Sequence, residues 1–300
     1  MSAEIYLYPK TAEEAVSLLA SYEGKAILMS GGTDLVLWMK HGKKQPAALI
    51  DVDGIPELKG ITRQGDRLVI GAGVTHAEVA ESLLVRELFP NLARGCGSVG
   101  APQTRNIGTV GGNVVSAQPA ADASVNFVAL GASCELLSQK GRRTAKVEDL
   151  FLGVGRSAVD PSAEIMTKIA IPIPTAPFAV AYQRVAPRNS LALPVANVSV
   201  EVIAQQNAIS KIRIVASPVA VVPYRAKATE KLLTGRSLEA IPSLAAEAGA
   251  CVQSEIHPRD SKLRGSGDYR RALIGTLVER AVAEALERVF TEGGTKRGMN

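Results

Sequence analysis

Apolar and polar positions follow two different periods along this chain, and each change of period marks an element. Directly after Thr11-Ala-Glu-Glu14 the apolar residues of AVSLLASY recur at helical spacing. A hydroxyl followed by a glutamate at that distance is a capping box, so a helix is predicted over Thr11–Tyr22 with strands bracketing it. KAILM (25–29), ALIDV (48–52) and RLVIGAGV (67–74) are short apolar runs that read as strands. The first ends at Ser30-Gly31-Gly32-Thr33 and passes into DLVLWMK (34–40), which has a helical pattern; Thr75-His-Ala-Glu78 is a second capping box that opens another helix. Ala120–Ala132 is an alanine-rich run suited to a buried helix, and SCELLSQ after it reads as a strand. Pro161, Pro172, Pro174 and Pro177 punctuate a connection, which places a domain boundary near Pro174–Phe178. Beyond it LPVANVSVEVIA (193–204) and ISKIRIVAS (209–217) alternate around Gln205-Gln206-Asn207, a hairpin signal. Helical segments are predicted over 224–233, 238–254 and 268–290, the last with Leu277, Ala281, Ala285 and Val289 on one face.

Composition narrows the function. With 300 residues, 46% of them hydrophobic, the chain can bury sizeable cores in two or three compact units. Its formal charge of +5 comes from basic and acidic residues that are interleaved, and only 4% of residues are aromatic, so a nucleic-acid partner is not expected. MSAEIYLYPK lacks the layout of a secretory signal and no apolar run is long enough to span a bilayer, which predicts a cytoplasmic protein. Cys96, Cys134 and Cys251 are scattered, as are His41, His76 and His257. Neither a disulfide framework nor a metal site is expected from them.

Two glycine-rich segments carry the candidate chemistry. Ser30-Gly31-Gly32-Thr33 follows a strand but has neither the ending of a P-loop nor Rossmann spacing. Successive glycines still expose several N–H groups that can cradle a phosphate, with the Thr33 hydroxyl as a further donor. The second segment, Gly95–Asn113, reads GCGSVGAPQTRNIGTVGGN and holds six glycines, ending in Thr109-Val-Gly-Gly-Asn113. A dinucleotide has two phosphates to hold. Asp122, at the start of the alanine-rich helix, either caps that helix or accepts hydrogen bonds from a ribose.

SGGTDLVLWMK and PQTRNIGTVGGNVVSAQPAAD resemble the paired motifs of the FAD-binding medium subunits of the molybdenum hydroxylases, the family that includes carbon monoxide dehydrogenase and xanthine dehydrogenase. YLYPKTAEEAVSLL, VDGIPELKGI and GDYRRALIGTLVERAVAEAL extend the resemblance over nearly the whole chain. It implies an α+β fold: a vanillyl-alcohol-oxidase (PCMH)-type FAD-binding domain of two α+β subdomains, residues 1–58 and 59–176, followed by an antiparallel-sheet and helix domain over 177–300. Carried onto this sequence, Leu28, Met29, Ser30, Gly31, Gly32, Thr33, Asp34 and Leu35 would wrap the pyrophosphate and ribitol. Thr109, Gly111, Gly112 and Asn113 would hold the other side, with bare backbone at Gly108, Gly111 and Gly112 clearing space for the cofactor. Pro102, Thr104, Gly108 and Asp122 would belong to the same site; Val99, Met166, Gln183, Arg184 and Leu191 would border the flavin ring. Cys96 reads as a small buried thiol rather than a flavin link.

The resemblance also implies a division of labour. A large molybdopterin subunit would hydroxylate the substrate, a small subunit would carry two [2Fe–2S] clusters, and this chain would discharge the electrons through FAD to NAD, a quinone, ferredoxin or oxygen, in a dimer of heterotrimers. FAD suits that position because it takes electrons singly and releases them as a pair. No catalytic acid, base or nucleophile is then expected of the chain, and none is assembled in the sequence. A stand-alone flavin oxidase or reductase, and a cofactor-free binding module, are the competing readings.

Overall fold

The structure is a computed structural model that describes residues 5–297; the outer ends of the first and last predicted domains, residues 1–4 and 298–300, lie outside the described residues. The chain first alternates strand and helix: β1 (Ile5–Leu7), α1 (Ala12–Ser21), β2 (Ala26–Met29), α2 (Leu35–Lys40) and β3 (Ala48–Asp51). The three strands form a parallel sheet in the order β1-β3-β2, so each connection must cross a face of the sheet, and α1 and α2 are those connections. The start of α1 is fixed by Thr11 Oγ1, which accepts from the Glu14 amide at 3.1 Å, while the Glu14 carboxylate reaches back to the Lys10 amide at 2.6 Å. Its buried face, Ala12, Ala15, Val16 and Leu19, packs with Ile50, Val52, Ile55 and Leu58.

A second, antiparallel sheet follows in the order β4-β5-β10-β6-β7, made from β4 (Ile61–Gln64), β5 (Arg67–Gly71), β6 (Ser133–Ser138), β7 (Gly141–Lys146) and, after the small pair β8 (Phe151–Gly153) and β9 (Arg156–Ser157), β10 (Ile165–Pro172). Between β5 and β6 run six helices: α3 (His76–Glu81), α4 (Leu83–Leu88), α5 (Pro90–Gly97), α6 (Pro102–Arg105), α7 (Val110–Val115) and α8 (Asp122–Ala129). They cover one face of the sheet, meeting Leu68, Ile70, Cys134, Leu136 and Ile169. Because successive side chains on a strand point to opposite faces, Leu137 and Ile165 leave through the other face and join the core under α1.

The last sheet is a meander, β11 (Phe178–Val185), β12 (Ala196–Gln205), β13 (Ala208–Ser217) and β14 (Tyr224–Arg225), followed by α9 (Lys227–Leu233), α10 (Ile241–Glu255) and α11 (Gly267–Arg297). Its hairpin turns at Gln206 and Asn207, both at positive φ (51° and 61°), the signature of a type I′ turn. Val198, Val200 and Val202 of β12 face α10 and α11; Asn197, Ser199 and Glu201 face the helices of the middle unit and are buried too. The sheet is thus covered on both sides. Its inner layer is polar and in part paired: Asn91 Nδ2 donates to Ser199 Oγ (3.1 Å), which donates to Asn126 Oδ1 (2.8 Å), while both Glu201 carboxylate oxygens are buried without a hydrogen-bond partner.

Three expectations change. The helix expected over 224–233 begins later, because Tyr224 and Arg225 pair with Ala216 and Val215 as an edge strand. The helix expected over 238–254 splits into a 3₁₀ turn, Leu238–Ala240, and α10. Most consequentially, the glycine-rich segment 95–113 is not one long loop but a succession of short helices, the end of α5, then α6 and the start of α7. Gly95 sits where α5 crosses α8, and a Cβ there would stand 2.3 Å from Asn126 Nδ2 and 2.8 Å from the Asp122 carbonyl oxygen. Gly95→Ala is therefore expected to lower unfolding stability by about 1–3 kcal/mol through overpacking, read as a drop in thermal midpoint with FAD absent.

Candidate functional site

The two glycine segments meet. The end of β2 is held by the Val52 amide, which donates to the Met29 carbonyl at 2.8 Å; the chain then turns through Gly32, at φ +66°, into α2. At Gly31 the main chain lies against the main chain of the second segment so closely that a Cβ would fall 1.8 Å from the Ile107 carbonyl oxygen and 3.0 Å from Gly108 Cα. Only glycine fits such an approach. The second segment is stitched to residues 72–76: Gly111 and Val110 amides donate to Ala72 and Val74 carbonyls (both 2.9 Å), and the His76 amide donates to the Gly108 carbonyl at 2.9 Å. Thr109 caps α7 by accepting from the Gly112 amide at 3.2 Å.

Several polar groups at this junction are unspent. Among the described residues, no protein acceptor takes the amides of Gly31, Gly32, Thr33 or Asp34. The Ser30 hydroxyl is buried without a partner. Ser124 Oγ donates to Asn113 Oδ1 at 2.8 Å, which leaves the Asn113 Nδ2 group as a donor without a protein acceptor. A run of free amides beside hydroxyl and amide donors is the donor set a pyrophosphate and a polyol require, so these residues fit FAD.

Asp122 does not cap α8 with its side chain. It is buried, and its Oδ1 accepts from Tyr182 OH (2.6 Å), Asn197 Nδ2 (2.9 Å) and Arg184 Nε (3.0 Å), so one carboxylate oxygen ties α8 to β11 and β12. Oδ2 takes no protein donor. Burial pushes the Asp122 carboxyl up from the usual carboxylate range, opposed by the Arg184 guanidinium and these hydrogen bonds; Tyr182, buried against it, is raised well above the phenol's ordinary value. Burial and the charge of Asp122 also raise the Cys96 thiol, keeping it protonated and unreactive.

Around the cleft, Thr104 fills the space over Gly100, the Val99 carbonyl accepts from Arg105 (2.9 Å), and Pro102 opens α6. The amide of Leu191 donates to the Gly100 carbonyl at 3.0 Å, so the β11–β12 connection closes over the glycine segment with the Leu191 side chain exposed. Leu28, Met29 and Thr33 are half-buried at the end of β2, and Leu35 is buried beneath α2 with Met39.

Four sequence-based site residues, Gln183, Met166, Gly111 and Gly108, meet protein atoms in the structure. Gln183 lies on β11 one position from both Tyr182 and Arg184, hence on the opposite face of the sheet, where its Nε2 donates to Glu284 of α11 at 2.7 Å. Met166 is only 5% exposed and packs in the core of the middle unit, since its neighbour Ile165 takes the other face of β10. Gly111 clears space for protein, not cofactor: a Cβ would stand 2.6 Å from the Ala72 carbonyl oxygen, and Gly108 is likewise confined by Thr104 and His76. Sequence reasoning also missed His76, Ser124, Tyr182 and Asn197. The capping box at Thr75 was the signal for His76, since it placed that residue at the start of α3, under Gly108.

Fold and cradle together define an FAD-binding protein of the α+β class. Residues 1–174 match the family model of the FAD-binding domain in molybdopterin dehydrogenase, and residues 181–285 match that of the CO dehydrogenase flavoprotein C-terminal domain. The chain is 32% identical over 283 residues to the carbon monoxide dehydrogenase medium chain of Hydrogenophaga pseudoflava (94% of this chain, 97% of that one) and 32% identical over 281 residues to the nicotine 6-hydroxylase medium subunit of Paenarthrobacter nicotinovorans (93% and 96%). A solved carbon monoxide dehydrogenase from Hydrogenophaga pseudoflava, lacking the Mo-pyranopterin moiety of its molybdenum cofactor, superposes with a TM-score of 0.88 at 32% identity, over 95% of this chain and 97% of that one. The chain belongs to the family of FAD-binding medium subunits of the molybdenum hydroxylases and is a flavoprotein subunit of an oxidoreductase.

Two outcomes follow from the geometry. Gly31→Ala should force the two segments apart and weaken FAD binding at least about tenfold, equivalent to about 1.4 kcal/mol, in a fluorescence titration, whereas Gln183→Ala should leave the affinity unchanged. His76 is held down to about 4 from its ordinary 6.5 by burial and by the Arg105 charge, so the folded protein keeps it neutral. Its contribution is fully present above pH 6.5 and is lost as the pH falls towards 4, because only the unfolded chain takes up the proton there. Urea unfolding between pH 7 and 4 should lose up to about 3 kcal/mol that a His76→Gln variant does not lose.

Proposed function

We propose that this chain is the electron outlet of a multi-subunit molybdenum hydroxylase, receiving electrons from [2Fe–2S] clusters of a small partner subunit and delivering them to an external acceptor such as NAD, a quinone, ferredoxin or oxygen. A large molybdopterin subunit would hydroxylate the organic substrate, in a dimer of heterotrimers. The observation that carries this reading is the main-chain cradle: Gly31 on Ile107–Gly108, with unspent amides at Gly31–Asp34 and an unpartnered Ser30 hydroxyl. FAD, when bound, would supply the one-electron to two-electron conversion, and the protein would supply binding and orientation. The amides of Gly31–Asp34 would hold the pyrophosphate, Asn113 Nδ2 and Asp122 Oδ2 the ribityl or ribose hydroxyls, and Leu191 with Val99 would cover the ring. Gly112, whose open side meets only Thr109 Oγ1, would leave that flank accessible. Arg184 would act indirectly, by orienting Asp122 and by donating to the Ala192 carbonyl at 2.6 Å.

Among the described residues no group of three or more His, Cys, Asp or Glu side chains could hold a metal ion, and no helix is long and apolar enough to cross a membrane. The purified chain should bind one FAD with a yellow flavin spectrum, and the intact complex should contain two further subunits with molybdenum and iron. Reduction of the flavin by the organic substrate should occur in the complex and not in the isolated chain; turnover of a small organic substrate by the isolated, metal-free chain would overturn the reading.

A further inference from the structure

Of the three histidines, His41 and His257 are exposed, whereas His76, the first residue of α3, is 3% exposed. Its amide donates to the Gly108 carbonyl at 2.9 Å, which fixes the residue beside the second glycine segment. The ring lies there too. The point that a Cβ on Gly108 would occupy is 3.4 Å from His76 Cδ2 and 3.5 Å from Thr33 Oγ1, so imidazole and hydroxyl flank one spot on the nested main chain. Thr33 belongs to the run of free amides at Gly31–Asp34, and Gly31 itself lies against Gly108 Cα.

The imidazole is unspent. Nδ1 is buried without a partner, and Nε2, which is bonded to Cδ2, takes none among the described residues either. Most buried polar side-chain atoms have a hydrogen-bond partner, so a ring with neither nitrogen paired leaves a donor for a group outside the chain. Burial and the Arg105 charge hold the free ring down to about 4, so at neutral pH it carries one proton and offers one N–H. Arg105, on α6, donates to the Val99 carbonyl at 2.9 Å and forms no ion pair among the described residues. A donor beside an unneutralised guanidinium favours an anionic acceptor over a hydroxyl, because only the anion gains from the cation as well.

We propose that His76 is a cofactor-binding residue of the cradle, its Nε2–H donating to a phosphate oxygen of the FAD pyrophosphate while Arg105 contributes charge to the same anion. The pyrophosphate is the anionic part of FAD, and the free amides around Thr33 are the ones that suit it. The bond also settles the tautomer: Nδ1 meets no acceptor, so the single ring proton is carried by Nε2. A side chain from the start of α3 thus joins a site otherwise made of main chain and short polar groups. The proposal rests on FAD occupying the cradle.

The test uses the full chain and FAD. His76→Leu should weaken FAD binding about tenfold in a fluorescence titration, and His76→Gln, which keeps an N–H donor, should stay within about threefold of the wild type. The phosphorus NMR signals of bound FAD should move in His76→Leu while the flavin absorption maximum does not, which a merely structural role would not produce. The wild type gives a readout independent of folding in the variants: with histidine labelled in its ring nitrogens, the Nε2 signal of His76, assigned by its loss in His76→Gln, should be displaced when FAD binds. Wild-type affinity in a folded His76→Leu chain, or a His76 signal that FAD leaves in place, overturns the proposal. If the wild-type chain bound no FAD at all, the cofactor reading would fall and this proposal with it, an outcome distinct from a variant that binds FAD normally.

Discussion

A contact between two stretches of bare main chain organises this protein. Gly31 presses on Ile107 and Gly108 more closely than any side chain allows, so the end of a parallel strand and a segment from the helical layer of a different sheet are set in one position relative to each other. Everything at the cleft follows from that position. The turn at Gly32 takes the amides of Gly31–Asp34 out of the sheet, where no protein acceptor takes them, while the second segment commits its Gly108 carbonyl and its Val110 and Gly111 amides to residues 72–76. Backbone amides that no protein acceptor takes are left to a ligand or to water.

A second constraint comes from Asp122. A buried carboxylate is tolerated only where donors surround it, and here the donors come from Tyr182, Arg184 and Asn197 on the C-terminal sheet. The same bonds that make the charge tolerable seat that sheet on α8. The flank of the cleft is therefore built by interactions between units, and the Leu191 connection is delivered to Gly100 as a consequence of where β11 lies. Removing one donor from this node would leave a charge half satisfied in a buried place, which is more damaging than the loss of one surface hydrogen bond.

What could be read from the sequence was local. Thr11 with Glu14, Thr75 with Glu78 and the Gln206-Asn207 turn each specify geometry within a few residues, and the structure forms all three. The motifs of the two glycine segments carried the family and the ligand. What sequence could not supply was the facing of elements against distant ones. Gln183 and Arg184 are equally plausible neighbours of a flavin until it is known that α11 lies against one face of β11 and that Asp122 of α8 meets the other. Tyr224-Arg225 joined a strand because β13 offered an edge, which no local propensity of those residues announces.

Glycine density itself proved a poor guide to which backbone meets the cofactor. Gly31, Gly95 and Gly111 are small because protein atoms occupy the space where a side chain would stand: Ile107, Asn126 and Ala72 respectively. Only positions such as Gly32 and Gly112, whose surroundings are open or reach them through flexible side chains, leave backbone exposed. A nucleotide cradle therefore needs two populations of glycine, one to let segments nest and another to present amides, and the first determines where the second can be. Beside Gly31 the Ser30 hydroxyl is buried and without a protein partner, so a side chain at that position adds an unspent donor next to the glycine that lets the segments nest.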